Sequence, residues 1–269
     1  MAGGCSKKND AEKYEKYGNT NNDTTTSSND TTTSSKLSVS VGDGGTIITS
    51  SDGTSWTSRT SGTTNYLWDV TYGNNTFVTV GNSGIILSSS DNGITWTSRT
   101  SGTTNHLFGV IYGNSKFVTV GKGGKIFTSS DGTTWTSRTS ATAYNLMGIT
   151  YANSKFVAGG YNGNIITSSD GTSWDNRTTG TLNILYGITF ANSTFVVVGN
   201  TGNILTSSDG TSWDNKTSGT TKHLKGVTYG TNTFVTVGNS GEILTSSDGT
   251  SWSSRTSGTS EHLMGVTYG

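Results

Sequence analysis

The sequence contains no proline. Punctuation of the chain therefore falls to 38 glycines and to Asn and Asp, the other residues that favour turns. A single cysteine, Cys5, has no partner in the chain, which excludes an internal disulfide and leaves the redox compartment unmarked. Charge is scarce and even. Only 13% of residues are charged and the net charge is +0, so the basic surplus that nucleic-acid binding draws on is missing. Hydrophobic residues make up 29% of the chain, and no apolar run approaches the roughly 20 residues that cross a bilayer as a helix. No segment carries a helical period, which excludes a coiled coil or a bundle.

What the sequence has is repetition. "SSDGTSW" at Ser50 to Trp56 returns in near-copies at Ser129 to Trp135, Ser168 to Trp174, Ser207 to Trp213 and Ser246 to Trp252, and once with an insertion as "SSDNGITW" at Ser89 to Trp96. From Trp96 onward the tryptophans stand 39 residues apart. A fixed period of this size marks a solenoid or a propeller. Each period holds four strand-like segments, as in "LFGVIYG", "KFVTVG", "KIFTSS" and "TWTSRTS", rich in aromatic and β-branched residues and bounded by Gly, Asn and Asp. Four strands per unit fit a propeller blade.

The first-strand core, a Leu with Val or Ile three residues on, occurs six times, from Leu67/Val70 to Leu263/Val266. The series begins at a second strand, "SVSV" at Ser38 to Val41, and the last first-strand motif is "HLMGVTYG", ending at Gly269. The fold class expected is all-β: a six-bladed β-propeller of four-stranded antiparallel blades over residues 36–269, its ring closed by pairing of the N- and C-terminal strands. Residues 1–35 contain the Asn/Asp/Thr/Ser run "NNDTTTSSNDTTTSS" and read as a disordered tether.

Two resemblances follow from these motifs. The repeated stretches resemble the Asp-box, or bacterial neuraminidase repeat, Ser-x-Asp-x-Gly-x-x-Trp; Ser89 to Trp96 matches in full and the other five copies are one residue shorter. The resemblance implies a turn between third and fourth strands. Its residues are Asp52 and Trp56, Asp91 and Trp96, Asp131 and Trp135, Asp170 and Trp174, Asp209 and Trp213, and Asp248 and Trp252. The carboxylate would take turn N–H groups while the indole closes over the turn. The start, "MAGGCSKKND", resembles the cleavage end of a bacterial lipoprotein signal, which makes Cys5 a lipidation candidate and implies a cell-envelope or secreted protein, lipid-anchored in a bacterium.

Propellers of this resemblance include sialidases, which hold a substrate carboxylate with three arginines. Here Arg59, Arg99, Arg138, Arg177 and Arg255 each follow a box Trp by three residues, with Lys216 in the sixth place. All fall on outer fourth strands, where they would balance the box aspartates, and none remains for a central triad. Asp43, Asp69, Glu242 and Glu261 would gather on one side of a closed ring, and read as a solvated acidic rim. His106, His223 and His262 share one repeat position, but without the even spacing of a shared metal site. No catalytic residue, metal or cofactor is expected.

The copies also differ from one another. The residue after the core Leu reads Trp68, Phe108, Met147, Tyr186, Lys225 and Met264. Variation there, at the preceding residue, and in the loop between second and third strands falls on one face. Trp68, Phe108, Tyr161, Tyr186, Lys225, His106 and His223 are the ligand-binding candidates, although the large apolar members would equally plug a channel. The expectation is a non-catalytic binding or scaffold propeller, a monomer, recognising a glycan or a protein and no nucleic acid, similar in role to photosystem II assembly-factor propellers. A sialidase-like glycoside hydrolase is the alternative. A membrane would be reached only through the lipid anchor.

Overall fold

The computed structural model describes residues 37–268. The expected tether and Cys5 lie outside those residues. Among the described residues every regular element is a β-strand or a three-residue 3-10 turn. Blade one consists of β1 (Ser38–Val41), β2 (Ile47–Ser50) and β3 (Thr57–Arg59). Blade two holds β4 (Leu67–Gly73), β5 (Thr76–Gly81), β6 (Ile86–Ser89) and β7 (Thr97–Arg99), and blade three β8 (Leu107–Gly113), β9 (Lys116–Gly121), β10 (Ile126–Ser129) and β11 (Thr136–Arg138). Blade four follows with β12 (Leu146–Ala152), β13 (Lys155–Gly160), β14 (Ile165–Ser168) and β15 (Asp175–Arg177). Blade five has β16 (Leu185–Ala191), β17 (Thr194–Gly199), β18 (Ile204–Ser207) and β19 (Asp214–Lys216), and blade six β20 (Leu224–Gly230), β21 (Thr233–Gly238), β22 (Ile243–Ser246) and β23 (Ser253–Arg255). Each blade is an antiparallel meander, so the six-bladed all-β propeller expected from the period is the architecture found.

Local sequence explains each meander. The first hairpin turns on two residues with left-handed backbone, such as Asn74 and Asn75 at φ 46° and 56°, which is the pattern whose twist suits a two-residue hairpin. The second connection is a 3-10 turn closed by a glycine that nothing else can replace. At Gly124, φ is +68° and a Cβ would stand 2.1 Å from the carbonyl oxygen of Thr142. The third is the repeated box. In the box of blade four, Asp170 Oδ1 accepts the Thr172 and Ser173 N–H groups and the Ser168 hydroxyl, while Trp174 Nε1–H donates to the Gly171 carbonyl. The box is thus a turn between the third and fourth strands that its own aspartate and tryptophan close.

Blades bury their apolar faces against each other. Five clusters form, one at each junction from blades one and two to blades five and six. At the junction of blades three and four, Val118, Val120 and Ile126 meet Leu146, Ile149 and Phe156, with Trp174 over the edge. The box glycine takes part: a Cβ on Gly93, Gly132, Gly171, Gly210 or Gly249 would lie between 3.0 and 3.3 Å from side chains of the preceding blade or its own. Phe156 lies 6.3 Å from Trp174, a pairing that recurs in blades two to six.

Three expectations need correction. First, the terminal segment does not complete blade one by strand pairing: the sheet of blade one is three-stranded, and residues 263–268 form no regular strand. The segment instead takes the place of a first strand beside blade six. The Leu263 N–H donates to Gly238 O as the Leu67 N–H donates to Gly42 O, and Tyr268 lies over Gly230 as Tyr112 lies over Gly73. Second, Trp56 is 43% exposed. Blade one has Ser38 where the other blades have the partner phenylalanine, and no atom lies within 4 Å of a Cβ built on Gly53. Val235 of blade six is correspondingly half-exposed where Val78, Val118, Val157 and Val196 are fully buried. Blades one and six thus present the two halves of an unmade sixth junction. Third, the outer arginines do not pair with the box aspartates. The Nε–H of Arg59, Arg138, Arg177 and Arg255 donates to a third-strand threonine hydroxyl, and that of Arg99 to the Ser88 hydroxyl. The box carboxylate already faces its own turn, out of reach of these guanidiniums.

Candidate functional site

First strands of blades two to six and the terminal segment line the central channel. Their register slips by one residue near the top: between Leu67 and Asp69, Leu107 and Gly109, Leu146 and Gly148, Leu185 and Gly187, and Leu224 and Gly226. The residue skipped each time is Trp68, Phe108, Met147, Tyr186 or Lys225. A bulge leaves its extra residue unmatched on the partner strand and re-aims the side chain, a device common at sheet rims and sites. The sequence position of greatest divergence is thus the position that the backbone turns out of the sheet.

On the side of blades two and three the candidates form an aromatic group. The Trp68 ring lies 4.4 Å from Tyr66 and 5.6 Å edge-on from Phe108, and Phe108 lies 6.1 Å from His106. Trp68 Nε1–H donates to Asn82 Oδ1 at 2.7 Å, fixing the indole against the 3-10 turn of its own blade. Trp68 and Phe108 are half-buried, so part of each ring faces outward. On the opposite side the Lys225 ammonium stands 3.9 Å over the Tyr186 ring. Lys225 is 7% exposed and contributes to the channel wall. A cation over an aromatic face is attracted by the ring quadrupole, the more so where water is excluded.

The histidines have a use that the sequence reading missed. His106 Nδ1 accepts the Ser83 N–H at 3.0 Å, His223 Nδ1 accepts that of Thr201, and His262 Nδ1 that of Ser240. Asn145 Oδ1 does the same for Gly123. Each fastens the 3-10 turn of the preceding blade. Burial first, and then the charge of Lys122, push the His106 imidazole below its usual pKa, which keeps the ring neutral and able to accept. Tyr161 opens the 3-10 turn of blade four, is 38% exposed, and its ring contacts none of the other candidates. The structure therefore gathers Trp68, Phe108 and His106 in one group and Tyr186 with Lys225 in another.

The acidic residues do not form the solvated rim expected. Asp69 and Glu242 are each 8% exposed. Lys222 pairs with Glu242 at 3.0 Å. Asp69 Oδ1 accepts the Val70 N–H and Oδ2 accepts the Val110 N–H of the next blade. Asp43 and Glu261 are exposed on their loops. A signal for Asp69 was present in the sequence: the same position is glycine in all five other copies.

No family model matches the sequence, and neither does any curated protein. Solved structures do share the fold. A YCF48 protein bound to a D1 peptide superposes with TM-score 0.67 at 20% identity, over 82% of this chain and 77% of that one. YCF48 from Cyanidioschyzon merolae gives 0.64 at 16% identity, over 81% and 80%. The computationally designed Ika8 protein gives 0.61 at 14%, over 80% and 66%. This chain is similar to them in fold.

Proposed function

We propose that the protein is a non-catalytic binding propeller that recognises an extended peptide segment of a protein partner at the bulged end of its channel. The carrying observation is the ring of five bulges, each aiming a different side chain from one repeat position. Packing alone would be met by one residue type five times over. The half-buried Trp68 and Phe108 supply apolar anchors; aromatic anchors of this kind dominate interface energies. The similar fold seen with a D1 peptide supports a peptide over the glycan. The six box turns are read as structural members of the Asp-box type. Catalysis is not part of this reading, since the arginines bond to strand hydroxyls on the outer strands. A place in the cell envelope with Cys5 lipidated completes it.

Peptide and glycan arrays probed with the wild-type chain test the reading. Peptide hits that lose tenfold or more in affinity on Trp68→Ala are expected. Hits confined to glycans, or peptide hits indifferent to Trp68→Ala and Lys225→Met, would refute it. Mass spectrometry of the protein made in a bacterium from its full gene tests the lipid: the expected peptide carries acyl groups on Cys5, and an unmodified Cys5 overturns the anchor.

A further inference from the structure

Five filled junctions show what each blade face is built to meet. A preceding blade offers two second-strand valines and a third-strand isoleucine, as with Val118, Val120 and Ile126. The following blade sets against them a phenylalanine, a third-strand apolar residue and its box tryptophan, as with Phe156, Ile166 and Trp174. Its box glycine seats on the first of the valines. A Cβ on Gly171 would lie 3.3 Å from Val118 Cγ2, and one on Gly132 would lie 3.0 Å from Val78 Cγ2.

Both halves of that contact recur at the ends of the series, and both are uncovered. On blade six Val235, Ile243 and Thr245 are partly exposed, whereas Ile86, Ile126, Ile165 and Ile204, at the Ile243 position, are at 0%. On blade one Ile48 is partly exposed and Gly53 exposed, whereas Leu87, Phe127, Ile166 and Leu205, at the Ile48 position, are at 3% or less. The strands match in the same way. Among the described residues β1 is a second strand whose sheet has no first strand, and residues 263–268 carry the first-strand motif outside any sheet. The register of blade two, Val70↔Thr79 and Tyr72↔Phe77, would set Val266 opposite Ser40 and Tyr268 opposite Ser38.

The two halves do not meet within one molecule. Close-packed interiors resist deformation, so bringing blade one onto blade six would have to shift the buried contacts of all five junctions between them. We propose that these two faces bind each other between copies of this chain, blade one of one copy docking on blade six of another as a following blade does. The contact joins unlike surfaces, so each pair keeps one uncovered face at either end and assembly continues until a ring closes. Ser38 limits its strength. The phenylalanine that fills every other junction is missing there, which makes the contact weaker than an internal junction and lets dilution return the single chain with Trp56 uncovered. The surface lies on blade faces and does not rest on the peptide reading.

Sedimentation velocity of the intact chain over a dilution series tests this. Species heavier than one chain are expected at high concentration, giving way to the single chain on dilution. Trp56→Glu, at a side chain already 43% exposed, should weaken association, and Ser38→Phe should tighten it, each by about tenfold, the scale of one aromatic contact. A single chain at every concentration, or association indifferent to both changes, overturns the proposal. Disulfides made in a Cys5→Ser background separate pairing of copies from closure within one chain, since opposed ladder residues stand about 4.5–5.5 Å apart, within disulfide reach. Ser38→Cys and Tyr268→Cys chains, mixed and oxidised, should give a mixed dimer in excess of the dimers that each gives alone. Absence of that excess, or a Ser38→Cys, Tyr268→Cys double variant that locks as a single chain and yields no dimer, refutes the contact between copies. Array results on the peptide face leave either outcome unchanged.

Discussion

At the scale of the residue, the six box tryptophans separate by what covers them. Trp174 is 8% exposed, pairs with Phe156 and caps a cluster spanning two blades. Trp174→Ala should destabilise the protein by about 3–5 kcal/mol in denaturant unfolding, the range for buried aromatic truncations. Trp56→Ala, at a tryptophan 43% exposed, should cost less than about 1 kcal/mol. Equal losses would show that Trp56 is covered in solution. The box aspartates set an acid limit. Hydrogen bonds from Thr95 hold Asp91 at about 2, below the usual 3.8, and those from the turn of each other box lower its aspartate further. A carboxylate lowered in the fold stabilises it above the unfolded pKa, and that support drains away as pH falls through the folded value. Melting temperature should therefore fall steadily below about pH 4, and Asp131→Asn with Asp170→Asn should flatten the slope. His106 adds an earlier step of the same direction: its lowered pKa means that the unfolded chain binds a proton below about 6.5 before the folded chain does.

At the scale of the element, the strands and turns were open to reading because their causes are local. Asn-Asn, Asn-Ser or Thr-Asn between apolar runs makes the first hairpin, Gly closes the second turn, and Asp with Gly makes the third. The bulges were not legible. Divergence after the core Leu marked the positions that bulge, but whether Trp68 packs in the ladder or leaves it depends on register against β5, which pattern alone does not carry. The fastening role of the histidines was not legible because their partners are backbone N–H groups of a loop 22 or 23 residues earlier. His106→Ala should loosen the 3-10 turn at Ser83, visible as faster amide exchange there, while His106→Asn should restore protection as Asn145 does at Gly123. The terminal segment gives a further test. Leu263 to Val266 are half-buried beside blade six, and their removal should cost about 2–4 kcal/mol from the apolar area lost. An unchanged melting temperature would mean that the segment is not docked.

At the scale of the whole molecule, the period predicted six equivalent junctions and five are filled. Equal sequence spacing gives each blade equal weight, so closure, the one contact between distant ends, is where such a reading is weakest. One residue did carry a warning: Ser38 in place of the recurrent phenylalanine. Among the described residues, the core cluster that includes blade one joins it to blade two, through Val39, Val41 and Ile47. Its amides should exchange faster than those of blades three and four, and equal protection would argue that the sixth junction forms in solution. The unmade junction also gives the molecule two ends in a mechanical sense. A chain pulled from its termini should yield blade by blade rather than all at once, since each blade touches only its neighbours. The 39-residue pitch from Trp96 onward would appear as a regular sawtooth in force, each tooth lengthening the chain by about 13–14 nm at roughly 3.5 Å per residue, less the width of the folded blade.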